Sequence, residues 1–236
     1  MAFARLLPLS AALHSPTQLG ELPTIMTILL RLRCPNAIKL CGFLAALLLI
    51  PGCTAIPTSL NPIAVPLQYK TMANAGEFPA VPACAAYSGI QVTDARLEKT
   101  IGKRYVETNP SISAPVNASS DVTAWVKAGA ADAAQRVGIS QKGSAPVLRI
   151  TIRQIVLSEN VARRSGFEGR ISIFAELVRK GGGVCWQNRI EGSSENYGYS
   201  GTTENYQETL NHALDRAMIR LLGDPGFQRN ICSCGG

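Results

Sequence analysis

The sequence predicts an α+β fold, a two-layer sandwich in which two helices cover one face of a four-stranded, mainly antiparallel sheet. Three stretches alternate apolar and polar residues with the period of two that is typical of half-buried strands. Two further stretches place apolar residues at helical spacing. An apolar content of 46% in 236 residues is enough for a hydrophobic core. The predicted order of elements is β-α-β-β-β-α.

The first half of the predicted domain contains one strand and one helix. The strand lies in "SGIQVTDAR", residues 88–96, and ends in a polar turn. The helix spans residues 120–138, with Ser120 as its N-cap and Gly138 at its end. Its apolar residues fall on one face: Val122, Trp125, Val126, Ala133 and Val137.

The second half contains the alternating segments and a long helix. Strands are predicted at residues 146–157, 169–180 and 183–194, and "KGGG" is the tight turn between the last two. The helix in "TENYQETLNHALDRAMIRLLGDPG" carries an apolar stripe and ends at Gly223 and Pro225. Because both helices are amphipathic, they can cover the same face of the sheet.

Residues 1–52 predict a secretory signal peptide rather than folded structure. Arg31, Arg33 and Lys39 precede an uncharged run at residues 40–50. That run is about half of the ~20 residues that a membrane-spanning helix needs. The basic segment is long if translation begins at Met1, and a start at Met26 gives a signal of ordinary proportions. Met26 is therefore a candidate start.

The apolar run stops at the motif "IPGC", in which Cys53 follows Ile50, Pro51 and Gly52. This motif resembles the lipobox of bacterial lipoproteins, and the resemblance implies that Cys53 becomes the lipidated first residue of the mature chain. Thr54 follows in place of aspartate, which implies sorting to the periplasmic face of the outer membrane. Two or three acyl chains would anchor the chain stably, since each buried CH₂ contributes ~0.8 kcal/mol. The alternative is an ordinary secretory cleavage site beside a chance cysteine.

Residues 53–83 are predicted to be a tether between the lipid and a domain at residues 84–236. The alternative is that part of this segment packs on the domain as an extended strap, as its apolar residues Ile63, Val65 and Leu67 indicate. The prolines are too dense for a regular helix or strand: Pro57, Pro62, Pro66, Pro79 and Pro82.

Four cysteines remain after removal of the signal and lipidation of Cys53. An even number in an oxidising compartment predicts disulfides among Cys84, Cys185, Cys232 and Cys234. Three pairings are possible. A bridge within the C-terminal "CSC" would close a strained ring, which favours bonds from Cys84 and Cys185 to that pair. The alternative is that "CSC" binds a soft metal such as Cu(I), but no Met-rich or His-rich surroundings support it, and no metal is predicted.

The charge distribution excludes a nucleic-acid partner. The formal net charge is +7, but four of the 23 basic residues and one of the 16 acidic residues lie before Cys53. The remaining excess is small and lacks the clustering on one face that a nucleic-acid interface requires. It would fit a weak attraction to anionic lipid or polymer.

No pattern in the sequence indicates an enzyme or a cofactor. His212 is the one histidine after Cys53, beside Asp215 and Arg216, but no nucleophile elbow accompanies it. A solvated histidine on a helix explains it better. The glycines of "KGGG" lack the following Lys-Ser/Thr of a phosphate-binding loop.

Two groups of residues are candidates for binding. The first is a set of arginines around a hairpin tip and on the strand face away from the helices, where guanidinium groups could recognise phosphate or carboxylate: Arg149, Arg153, Arg163, Arg164, Arg170 and Arg189. The alternative is a solvated face balanced by glutamates. The second group, Tyr197 and Tyr199, lies in a polar loop suited to contact with a partner or a glycan. Its alternative is a seal between helix and sheet.

The arrangement of motifs resembles a family of small envelope proteins. A lipobox is followed by "VTDAR" at residues 92–96, "IGKRY" at 101–105, and "VTAWVKAGAADAAQRVGI", with a long hairpin and a C-terminal amphipathic helix after them. This layout resembles the YajG-like bacterial lipoproteins over most of residues 88–225. The resemblance implies no catalytic residues.

The sequence therefore predicts a non-enzymatic, lipid-anchored envelope protein. In the leading hypothesis it is an accessory factor that binds a protein complex or an envelope polymer. The alternative is a transport-auxiliary lipoprotein that holds a lipid or glycan on an arginine-lined sheet face. The fold class alone does not decide between these hypotheses.

Overall fold

The structure of the chain, a computed structural model, describes residues 58–162 and 164–234. The predicted signal peptide, the candidate start at Met26, the lipidation site Cys53 and the hairpin residue Arg163 lie outside the described residues. Within the described part the chain forms nine strands and three α-helices, which confirms the α+β class. None of the helices described there is both long and apolar enough to cross a membrane.

The elements in chain order are β1 (Ile63–Val65), β2 (Ala86–Tyr87), β3 (Gly89–Asp94), β4 (Gly102–Val106), β5 (Asn109–Ala118), α1 (Val122–Arg136), β6 (Ser140–Gln141), β7 (Val147–Asn160), β8 (Ser165–Val178), β9 (Val184–Gly198), α2 (Thr203–Gly223) and α3 (Pro225–Ser233). A short 3-10 turn lies between β1 and β2, at Ala75–Glu77.

Seven strands form the main sheet, in the order β1-β5-β4-β7-β8-β9. Strand β7 pairs with β8 along one side, while β3 and β4 pair in parallel with successive parts of its other side. The antiparallel ladder β7-β8-β9 is the longest part of the sheet. Helix α1 packs against β3, and α2 packs against β8, β9 and α1.

The prediction of four strands was wrong, because the sheet contains seven. The three long strands and β3 correspond to the predicted segments, but β1, β4 and β5 carried no usable strand signal. Strand β1 has three residues, and β5 contains Pro110 and Pro115, which normally argue against a strand. Strands β4 and β5 form a local hairpin, while β1 pairs with β5 and β4 pairs with β7 across long stretches of sequence.

The segment before Cys84 packs on the domain as a strap over residues 58–83. Strand β1 pairs in parallel with β5, and Val65 and Leu67 belong to the hydrophobic core. The folded unit therefore begins ahead of Cys84. Of the two alternatives that the sequence left open, the described residues show the packed strap.

The alternation along β7 separates two faces of the sheet. Leu148, Ile150 and Ile152 are buried on the helix side, and the intervening Arg149 lies on the opposite face. A bulge between Ile152 and Gln154 restarts the alternation, so that later apolar residues of β7 also face the core. No element of the described chain covers the opposite face.

Helix α3 is an element that the sequence analysis missed. Pro225 was interpreted as a terminator, but here it occupies the first turn of a new helix whose N-cap is Asp224, a position that proline also favours. Two disulfides attach this helix to the domain, Cys84–Cys232 and Cys185–Cys234.

Candidate functional site

The face of the main sheet that the helices leave open contains a cleft of about 650 Å³. Its walls are the β3–β4 loop, the bulge in β7 and the neighbouring parts of β8 and β9. We call it the sheet cleft. The residues that line it include Leu97, Lys103, Arg153, Val156, Phe174 and Arg189.

The sheet cleft has an apolar surface that is accessible to solvent. Leu97 is 98% exposed on the β3–β4 loop, and Val156 is 40% exposed on the sheet. Phe174 lies half-buried on the adjacent strand. Apolar side chains collected on an open face mark a binding surface more often than scattered ones do.

Cationic groups outnumber acidic ones around this apolar surface, where Glu98 is the acidic residue of the lining. The guanidinium of Arg153 lies over the Phe174 ring, with Cζ 5.8 Å from the ring centroid. Arg189 donates to Ser172 Oγ at 3.0 Å and pairs with Glu191 at 2.9 Å. Among the described residues Arg153 has no acidic partner within salt-bridge distance. Its charge is therefore available to an anionic ligand.

A second cleft of about 550 Å³ adjoins the first, and both are lined by Gln154, Val156 and Ser158. The rest of its lining mixes charges of both signs, among them Glu168, Arg170, Glu195 and Arg216. Such a lining offers a polar surface with little net charge.

The six predicted arginines do not form one cluster. Arg149, Arg153, Arg170 and Arg189 lie on strands β7, β8 and β9, and of these Arg153 and Arg189 line the sheet cleft. Arg149 pairs with Glu176 at 3.8 Å, in agreement with the balanced-face alternative for this residue. Arg164 belongs to the β7–β8 turn instead, and Arg163 lies outside the described residues.

The two predicted tyrosines are exposed rather than sealed against the helices. Tyr197 is 63% and Tyr199 is 81% exposed. The guanidinium of Arg164 lies over the Tyr197 ring, 5.9 Å from its centroid. The three residues form a small surface at one end of the sheet, remote in register from the β8–β9 turn.

The motif "VTDAR", part of the family resemblance, forms a turn that holds the β3–β4 loop. Arg96 is buried and forms a bidentate pair with Asp94, at 2.9 and 3.0 Å. It also donates to the carbonyl of Thr100 at 3.2 Å. Its hydrogen bonds hold the pKa of the Asp94 carboxyl down, at about 2. This rigid turn holds Leu97 at the cleft.

Two buried carboxylates that the sequence did not single out for a role are saturated with donors. Glu159 is fully buried and accepts from Arg104 Nε at 2.9 Å, from Gly201 N at 2.9 Å and from the Tyr206 hydroxyl. Burial, followed by this bond to Glu159, raises the pKa of Tyr206 well above its ordinary value. The second carboxylate is Asp215.

Asp215 holds the strap. It accepts from Tyr69 Oη at 2.7 Å, Met72 N at 2.6 Å and Ala73 N at 2.8 Å. Burial, and then the bond to Asp215, raises the pKa of Tyr69 far above its usual range. Across residues 58–162 and 164–234, no group of three or more His, Cys, Asp or Glu side chains could hold a metal ion.

Comparison with known proteins finds similarity in solved structures alone. No family model matches the chain, and no curated protein matches it. One similar structure is a Xanthomonas campestris protein of the DUF330 family, at 14% identity and a TM-score of 0.41, covering 70% of this chain and 93% of that one.

Two further structures are lipoproteins by their own descriptions. A candidate lipoprotein from Caulobacter crescentus CB15 is 18% identical, with a TM-score of 0.31 and coverage of 46% of this chain and 78% of that one. A minor lipoprotein from Acinetobacter baumannii is 8% identical, with a TM-score of 0.34 and coverage of 63% and 93%. Similarity at this level transfers no residue roles. The chain is thus similar to solved structures of bacterial lipoproteins, and its YajG-like assignment stays a prediction.

Proposed function

We propose that this chain is a lipid-anchored, non-enzymatic envelope lipoprotein that holds an amphipathic anionic ligand, a lipid or glycolipid, in the sheet cleft. The observation that carries the proposal is the open sheet face, where exposed apolar side chains adjoin arginines. This places the second of the two hypotheses from the sequence ahead of the first. The lipid on Cys53 would keep the cleft close to a membrane.

The chemistry of the cleft suits a ligand with both apolar and anionic parts. Leu97, Val156 and Phe174 offer hydrocarbon contact. Arg153, without an acidic partner among the described residues, offers a planar donor set that matches phosphate or carboxylate. A cleft of about 650 Å³ also falls within the range of ~300–1,000 Å³ that is typical of small-molecule sites.

The two buried carboxylates are not candidates for a general base. A general base needs a lone pair that can reach a substrate proton. The carboxylates of Glu159 and Asp215 are directed at several protein donors each and are buried. They act as structural acceptors.

The proposal is tested by calorimetric titration of the purified chain with a short-chain phosphatidylglycerol below its micelle concentration. We expect Arg153→Gln to weaken binding about ten- to a hundredfold, because a hydrogen bond to a charged group contributes about 1.5–3 kcal/mol. Arg179→Gln is the matched control, since Arg179 is exposed beside the β8–β9 turn and does not line the cleft. Equal affinities of the two variants, or no binding by the unsubstituted chain, would contradict the proposal.

A protein partner or envelope polymer is the second candidate, and the adjoining polar cleft favours it. That cleft presents Glu168, Arg170 and Glu195 together, a mixed surface of the kind found at the polar rim of protein interfaces. Crosslinking in intact cells, with Cys53→Ala as the unanchored control, distinguishes the two. One dominant protein partner that is lost in Cys53→Ala would put this candidate first.

A further inference from the structure

We infer that the end of the sheet formed by Tyr197, Tyr199 and Arg164, here called the tip end, docks on the membrane that anchors the chain. The two tyrosines would then lie in the lipid headgroup region. The inference rests on the lipid anchor of the proposed function, but it concerns a surface separate from the sheet cleft. None of the three residues lines that cleft.

The strand register shows from which side the chain enters the sheet. Strand β1 runs parallel to β5, with Ile63 opposite Val116. Strand β5 is antiparallel to β4, which runs parallel to β7 and reaches the tip end, where Tyr105 lies opposite Asn160. The residues before Ile63 therefore approach the sheet from the tip end.

The entering chain is fixed close to the tip end. Arg104 is the connecting residue, since its Nη1 donates to the carbonyl of Asn61 at 3.5 Å and its Nη2 donates to Ser200 Oγ at 2.9 Å. Ser200 directly follows Tyr199. Through Arg104, Asn61 therefore lies near Ser200, the residue after the exposed Tyr199.

Few residues separate this point from the lipid. Asn61 follows Cys53 by eight positions. At a maximum of ~3.5 Å per residue, such a segment spans no more than about 28 Å even when fully extended. A lipid on Cys53 thus limits the distance between Asn61, which lies near the tip end, and the bilayer surface to about 28 Å.

The side chains at the tip end suit a membrane interface. Tyrosine is enriched at the headgroup level because its ring is amphipathic, and arginine can keep its charge in water while its stem lies on apolar surface. The nearby charges do not favour anionic lipid, since Glu107 and Glu204 are also exposed there. We therefore expect contact through the aromatic rings, with little dependence on lipid charge.

The test places a fluorescent probe at the tip end of the full-length, lipidated protein in vesicles. The variant Tyr199→Trp introduces the probe in place of an exposed tyrosine. Val184→Trp is the matched control, since Val184 is 48% exposed and begins β9 at the opposite end of the sheet. The native Trp125 and Trp186 are buried, and the unsubstituted protein supplies their background emission.

We expect the Trp at position 199 to shift its emission to the blue and to be quenched by lipids brominated near the headgroup. The Trp at position 184 should be quenched by aqueous iodide instead, and a change from neutral to anionic lipid should alter neither result. Equal exposure of both probes to iodide, in protein that still floats with the vesicles, would overturn the docking inference and leave the anchor intact. If the protein does not float and mass spectrometry shows that Cys53 is unmodified, both the docking inference and the lipid anchor would be overturned. Ligand binding in the cleft is measured separately by the titration above.

Discussion

Glu159 is a fully buried carboxylate in a sheet whose neighbouring core positions are apolar. A charge in this position is tolerated only when its partners replace the lost water. Arg104, Tyr206 and the backbone of Gly201 do so. Because these groups come from β4, α2 and the loop before it, the charge also fixes how these elements meet.

The first prediction concerns the loss of the cation. Arg104→Met should lower the free energy of unfolding by roughly 3–5 kcal/mol, because it leaves a buried carboxylate without its charged partner. Urea unfolding measures this. Arg149→Met is the control, since Arg149 is partly exposed and its pair with Glu176 is long, at 3.8 Å, and it should cost under ~1 kcal/mol. Similar losses in both variants would show that the Glu159 charge needs no such partner.

The second prediction concerns the pH dependence that Asp94 contributes. Its hydrogen bonds with Arg96 lower its folded-state pKa from 3.8 to about 2. A depressed pKa stabilises the fold above the unfolded-state value and loses that effect as the pH falls through the folded-state value. The contribution of the Asp94 charge, measured as the stability difference between the natural chain and Asp94→Asn, should therefore be largest above pH 3.8 and be lost as the pH falls through about 2. Urea titrations at several pH values measure it, and a difference that does not change over this range would contradict the assignment.

Two arginines of α2 protect the exposed edge of strand β9. Strand β9 is the last strand of the sheet, and its outer carbonyls could pair with another chain. Arg216 Nη1 donates to Ser193 O and Arg220 Nη1 donates to Glu191 O, both at 2.6 Å. The side chains of α2 thus occupy two carbonyls on the unpaired edge of β9.

The strap is an element with almost no regular structure, and side chains of α2 hold it. Asn211 donates to the carbonyl of Gln68 at 3.1 Å and accepts from Trp125 Nε1 at 2.8 Å. One turn further along α2, Asp215 receives the Tyr69 hydroxyl and two backbone amides. The strap therefore depends on polar contacts as well as on Val65 and Leu67.

The third prediction concerns release of this strap. Asp215→Asn should speed trypsin cleavage after Lys70, an exposed residue within the strap, because an amide cannot accept three donors as a carboxylate does. Asp132→Asn is the control, since Asp132 touches the Tyr69 hydroxyl only at 3.3 Å and lies mainly against Arg136. Cleavage is followed by mass spectrometry of the native protein. Unchanged cleavage in Asp215→Asn would show that apolar burial alone holds the strap.

At the scale of the whole molecule, α3 ties distant parts of the chain together. The bond Cys84–Cys232 spans 148 residues and Cys185–Cys234 spans 49. The first bond joins the residue after the strap to α3, and the second bond joins β9 to the C-terminal end of α3. Cross-links stabilise a fold mainly by restricting the unfolded chain, and the restriction grows with the length of the closed loop.

The fourth prediction follows from these loop lengths. Each of two double variants, Cys84→Ala/Cys232→Ala and Cys185→Ala/Cys234→Ala, should lose about 2–5 kcal/mol of stability. The first should lose more, because its loop is longer. Urea unfolding under non-reducing conditions compares the pair, and each variant serves as the control for the other. The reverse order would show that local packing around α3 outweighs chain entropy.

The helices and strands that were predicted are those marked by patterns among residues close together in the sequence. The helix predicted at residues 120–138 corresponds to α1, and the alternating segments correspond to β7, β8 and β9. The hydrophobic period acts over a few residues, so one sequence is enough to detect it. The predicted N-cap Ser120 was wrong by one position, since Asp121 caps α1 and Ser120 donates to the carbonyl of Leu67 in the strap. The arginines of the open face could be named for the same reason, since Arg149 and its neighbours alternate with buried residues.

Other features depend on residues that are far apart in the chain, and only the tertiary structure decided them. Strand β1 exists because it pairs with β5 more than 50 positions later, and Glu159 is matched to Arg104 across 55 positions. The sheet cleft likewise requires that the β3–β4 loop and Phe174, which are far apart in the chain, line the same space. The local sequence determined the secretory signal pattern, the candidate lipid attachment at Cys53 and the amphipathic elements. The number of strands, their pairing partners and the open face of the sheet follow from long-range packing, which no local pattern encodes.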